Sequence, residues 1–137
     1  MSYALFSVGL LGLLVFLLGF NVSRARRSVL LTQDQAEADP KSQLRKAMRA
    51  HGNCIEYVPM LALLILALGQ LNPVPSVFLA SLMIAAVVSR YLHAAGIIFG
   101  GSIYSPTALK FCGALGTYLT GIALSVMTII ESARLLG

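Results

Sequence analysis

The run Arg49-Ala50-His51-Gly52-Asn53-Cys54-Ile55-Glu56-Tyr57-Val58-Pro59 packs cations, an amide, a carboxylate and a phenol into one short stretch. At about 100° per helical residue, Arg49, Asn53 and Glu56 fall within roughly 60° of one another, and Arg45 extends the same stripe. Such a face offers guanidinium forks beside a carboxylate, the chemistry that grips a bound anion. His51 lies about 200° from Arg49 and faces a different neighbour.

Further along, Arg90 and His93 stand one helical turn apart and are neighbours on a helix surface. Both lie in an apolar run, where an unpaired arginine costs several kcal/mol, so Arg90 needs a partner. Glu56 is the expected one, because the other acid within an apolar run, Glu131, lies near the opposite end of its helix. Two readings follow. Arg90 and Glu56 form an ion pair that fixes helix register, with Asn53 filling the remaining hydrogen-bond capacity. Alternatively, Arg49, Asn53, Arg90, His93 and Arg26 supply more donors than one carboxylate uses, and the surplus holds an anion.

The elements that position these residues follow from composition. The chain is 58% hydrophobic and 11% charged, too apolar for a water-soluble domain of its length. About 20 apolar residues cross a bilayer core, so four spans with short connections use nearly the whole chain. The expectation is an all-α membrane protein, a single up-down bundle of four helices near residues 3–23, 40–71, 74–99 and 106–136. Arg24, Arg26 and Arg27 follow the first apolar run rather than precede it, which marks an anchor and not a cleaved signal. From Ser23 to about Gln43 the chain turns polar, and Gln33, Asp34, Gln35, Glu37 and Asp39 make it a solvated loop. Asp39-Pro40, Asn72-Pro73 and Ser105-Pro106 mark the next three helix starts, since Asp caps free amides and proline fits the first turn.

Charge orients the bundle. Arg24, Arg26, Arg27, Lys41, Arg45, Lys46 and Arg49 lie between the first two spans, whereas Arg134 stands at the other face. The positive-inside rule therefore places the loops 24–40 and 99–106 in the cytoplasm and both termini outside. The formal charge of +5 is clustered rather than spread over a surface, so nucleic acid is not an expected partner. Cys54 and Cys112 read as small buried hydrophobes. Pro59 reads as a kink in the second helix, Gly113, Gly116 and Gly121 as close helix packing, and Tyr104 as either an interfacial ring or a ligand-contacting hydroxyl.

The string Arg49-x-His51-x-Asn53-x-x-Glu56-Tyr57-x-Pro59, followed by Arg90-x-x-His93-x-x-Gly96, resembles the MAPEG family, membrane proteins of eicosanoid and glutathione metabolism, and in particular its short bacterial members. The likeness extends to the arginine cluster after the first helix, the long second helix and the proline opening the fourth. It implies a homotrimer in the membrane, the inner membrane if the chain is bacterial, with glutathione bound between subunits near the cytoplasmic face under a lipid-accessible groove. Arg49, Asn53, Glu56, Tyr57 and Arg90 would hold the tripeptide, with Arg26, His51 and His93 as further contacts. Two carboxylates suit arginine forks, and the ammonium suits Glu56. Active mammalian members carry an arginine near the start of the fourth helix and a tyrosine seven residues after the third-helix arginine; here those places read Ile103-Tyr104-Ser105 and Ile97. Tyr104 is thus a candidate donor to the sulfur, with Lys110 one turn further on.

The expected activity is a glutathione-dependent transferase or peroxidase acting on lipophilic electrophiles or lipid hydroperoxides. The alternative is a non-catalytic protein of the same fold that binds an anionic ligand or lipid headgroup. A transporter fits less well, because the polar groups cluster at one end and no inverted repeat is visible.

Overall fold

The computed structural model describes residues 1–29 and 32–137. Among the described residues the regular structure is entirely helical: α1 (Ser2–Arg27), α2 (Gln33–Ala38), α3 (Gln43–Leu71), α4 (Val77–Ile98) and α5 (Ala108–Leu136). The four long helices each contain an 18-residue stretch of mean hydropathy between 1.6 and 2.3, long and apolar enough to cross a membrane.

α1 shows how little of this apolar surface the fold itself buries. Ala4, Ser7, Leu11, Leu14, Leu18, Val22 and Ala25 recur every three or four residues and are buried. Leu5, Leu13, Phe16, Leu17 and Phe20 on the other faces are exposed. A helix that is apolar all round but packed along one stripe is at home in lipid. α1 packs on α3 and α4 on α5, while contacts of α3 with α4 and α5, and of α1 with α4, close the bundle. Leu11, Cys54, Ile65, Leu68, Leu79, Met83, Ala86 and Leu124 meet in the core.

The prolines announce helix starts, but they do not cap them. α3, α4 and α5 are capped by the hydroxyls of Ser42, Ser76 and Thr107, which accept from the amides of Arg45, Leu79 and Lys110. Asp39 instead accepts from the Lys41 amide in a tight turn, and Asn72 caps the end of α3, its amide donating to Leu68 O. The hydroxyl nearest the first helical turn wins because its oxygen reaches the third amide. The segment read as a loop holds α2, whose Ala36 is buried against Val22, Ala25, Leu44 and Ala47. α3 runs across Pro59 to Leu71 without ending.

Two sets of connections define the ends of the bundle. The Met1 ammonium donates to Pro73 O, so the start of α1 sits by the α3–α4 turn. At the other end the Ile103 amide donates to Pro40 O, which joins the α4–α5 connection to the segment before α3. Lys46, almost fully buried, reaches Gly100 O at 3.2 Å. Lys110 Nζ donates to the carbonyls of Ser102, Ile103 and Ser105 at 3.0, 3.2 and 2.7 Å. Two lysines thus hold one loop through carbonyls that no helix satisfies.

Candidate functional site

The site is built from consecutive turns of α3 facing α4 and α5. Arg90, in the middle of α4, is 1% exposed. Its Nη2 donates to Asn53 Oδ1 at 2.8 Å and to Asn53 O at 3.1 Å, and its Nη1 to Thr117 Oγ1 at 3.4 Å. Thr117 can accept because its own hydrogen goes to Gly113 O one turn back. Arg90 Nε is buried without a partner.

The expected Arg90–Glu56 ion pair is not formed. Among the described residues the ion pair present is Arg134–Glu131, one turn apart on α5. Asn53 lies between Arg90 and Glu56, accepting from the former and donating through Nδ2 to Glu56 Oε2 at 3.4 Å. The reason is geometric. Asn53 faces the bundle and is buried, while Glu56, three residues on, is rotated to the outer edge of the same stripe and is exposed. The hydrogen bonds of the guanidinium therefore go to neutral oxygens, which leaves its charge without a carboxylate partner in direct contact.

Tyr57 continues the cluster. The Arg90 guanidinium carbon lies 5.2 Å from the centroid of its ring, within cation–π range. Its hydroxyl is 3.2 Å from that of Tyr118 on α5, with the two rings edge to face and centroids 5.9 Å apart. His93 Nδ1 pairs with Lys110 O at 2.9 Å, which ties α4 to the first turn of α5.

Two cavities meet at these tyrosines. A void of about 20 Å³ is lined by Asn53, Tyr57, Arg90, His93, Ala114, Thr117 and Tyr118; that is room for a water and not for a tripeptide. Outside it an open groove of about 440 Å³ runs between α3 and α5, from Glu56, Tyr57 and Tyr118 past Met60, Leu64 and Gly121 to Val126. That volume falls in the range of small-molecule sites. The groove exists because α5 buries Gly113, Thr117, Thr120 and Leu124 and no residue beyond them.

The structure thus brings Asn53, Glu56, Tyr57, Arg90 and His93 together on one side of the bundle. Arg49 is exposed on the same stripe one turn nearer the basic end. His51 points elsewhere, its ring 3.5 Å from where a Cβ on Gly19 of α1 would lie. Arg26 is exposed in the last turn of α1 and lines neither cavity. Tyr104 is 77% exposed in the α4–α5 connection and lines neither cavity, and Lys110 spends its donors on loop carbonyls. Cys54 is buried as expected, but Cys112 is exposed on α5. Tyr118 and Thr117 were missed by sequence reasoning. They sit in an apolar run with no charge beside them, and only the α3–α5 crossing brings them to Tyr57.

No curated protein and no solved structure matches this chain. A sequence model of the MAPEG family does, over residues 4–130 of 137, and with that coverage the chain belongs to the MAPEG family.

Proposed function

We propose that the protein is a glutathione-dependent membrane enzyme of transferase or peroxidase type, acting on lipophilic electrophiles or lipid hydroperoxides. The observation that carries this reading is Arg90: a fully buried guanidinium whose η nitrogens bond only neutral oxygens and whose Nε has no partner, lining a small void that adjoins an apolar groove with a carboxylate at its rim. The tripeptide lies across the outer face of α3, its carboxylates toward Arg49 and the Arg90–Asn53 pair, its ammonium toward Glu56. The groove below takes the lipophilic co-substrate. Since Glu56 and Tyr118 are exposed on a single protomer, a neighbouring subunit completes the site, as in the homotrimer the family resemblance implies. The basic connections lie on the cytoplasmic side.

A second reading has one observation in its favour: no lysine or arginine side chain lines the groove. On that reading the fold binds an anionic ligand without turning it over. Glutathione binding to the detergent-solubilised protein tests the first step. Saturable binding, weakened about tenfold or more by Arg49→Ala or Arg90→Ala, is expected from the loss of a charged hydrogen-bonded contact. Normal affinity in both variants removes the site. Binding without turnover of any lipophilic electrophile favours the second reading.

A further inference from the structure

Tyr118 lines both the one-water void and the apolar groove, so it stands where polar and lipophilic reactants would meet. Its hydroxyl and that of Tyr57 share one hydrogen bond at 3.2 Å, and by distance alone either could donate. The Arg90 guanidinium breaks the tie. Placed over the face of the Tyr57 ring, it draws electron density from that ring and makes the Tyr57 hydroxyl the stronger donor of the two. Tyr57 then donates to Tyr118, and the Tyr118 hydrogen is left free to point into the groove. Hydrogen bonds chained in this way polarise one another, so the terminal donor is stronger than an isolated phenol.

We infer that Tyr118 is the hydrogen-bond donor that holds the reacting sulfur of the bound thiol as a thiolate at the mouth of the groove, with Tyr57 as its positioning residue. This rests on the glutathione reading above. Of the other cations near the tyrosines, Lys110 is held by three loop carbonyls, the η nitrogens of Arg90 are engaged beneath Asn53 and Thr117 and its Nε is buried, and Arg49 stands further along α3 and does not line the groove. Two charges act on the sulfur: Arg90, packed over the Tyr57 ring, favours an anion above the tyrosines, and the opposing carboxylate of Glu56 at the groove rim is matched by the ammonium of the bound tripeptide. On binding, the thiol gives its proton to solvent and the sulfur retains the electron pair. That pair then forms the carbon–sulfur bond to the electrophile, which takes a proton from water on addition or releases its leaving group on substitution.

The test is a pH titration of the ultraviolet thiolate absorbance of glutathione mixed with wild-type protein, Tyr118→Phe and Tyr57→Phe, alongside glutathione affinity for each. Tyr118→Phe is expected still to bind glutathione while its thiolate titration moves up by about one to two pH units, the loss of one charged hydrogen bond. Tyr57→Phe is expected to move it in the same direction by less. An unchanged titration in Tyr118→Phe, or a wild-type protein that binds glutathione without a thiolate signal, overturns the assignment to Tyr118 and leaves the binding site standing. Wild-type protein that binds no glutathione overturns both.

Discussion

Arg90 and Asn53 form one contact, yet they answer differently to mutation, because a buried ion costs most when its partner is removed and it stays. Asn53→Ala deletes the 2.8 Å bond to the guanidinium and leaves the charge in place. A loss of about 2–4 kcal/mol is expected, read as earlier thermal unfolding in detergent. Arg90→Met replaces the charge with an apolar chain of similar reach, and stability is expected to stay within about 1–2 kcal/mol of wild type while glutathione affinity falls about tenfold or more. If Arg90→Met unfolds more readily than Asn53→Ala, the arginine is a structural strut and not a charge held for a ligand. Asn53 is a filler of hydrogen-bond capacity in the ion-pair reading and a ligand donor in the other; its burial makes it the residue that separates the guanidinium from the carboxylate.

Between elements, the three glycines of α5 read alike in sequence but do different things. A Cβ on Gly113 would come within 2.7 Å of His93 Cα, and one on Gly116 within 3.1 Å of Ser89 Cβ, whereas one on Gly121 would meet only Leu61 at 3.7 Å. The first two let α5 press against α4; the third faces the groove. Gly113→Ala is expected to cost about 1–3 kcal/mol through forced separation of the helices, and Gly121→Ala to stay within about 0.5 kcal/mol, both measurable by thermal unfolding. Gly121→Leu places a branched side chain in the groove, so turnover of a bulky lipophilic electrophile is expected to fall while glutathione affinity holds. Equal loss of both would mean that thiol and electrophile share the space rather than meet at its end.

For the whole molecule, the exposure of Glu56 beside an apolar groove sets the problem. A carboxylate facing hydrocarbon costs about 2–3 kcal/mol or more even on mild scales, so a lone protomer in lipid is a poor resting state for this sequence. A neighbour covering the α3–α5 face relieves that cost, and chemical crosslinking of the protein in mild detergent is expected to end at a three-protomer species. A product that stops at one protomer would leave the site open to lipid and withdraw the shared-site proposal. Reporter fusions at residue 34 and after Gly137 are expected to report opposite sides of the membrane, with the former cytoplasmic.

Sequence alone determined what solvent physics dictates locally. Four apolar runs of bilayer length, the charge clustered at one end, and the joint spacing from Arg49 to Arg90 gave the helices, the family and the stripe that carries Asn53, Glu56 and Tyr57. Capping was legible only to within a few residues, because Asp39 and Asn72 compete with Ser42 and Ser76 for the same free amides and the winner is set by chain geometry at each turn. α2 was hidden because its stability comes from one buried alanine and not from any pattern of its own. What the tertiary structure decided was partnership: that Asn53 and not Glu56 meets Arg90, that Lys110 is spent on a loop, and that Tyr118 arrives beside Tyr57. Each depends on how one helix crosses another, and a rotation of one residue, about 100°, is enough to exchange a buried partner for an exposed one.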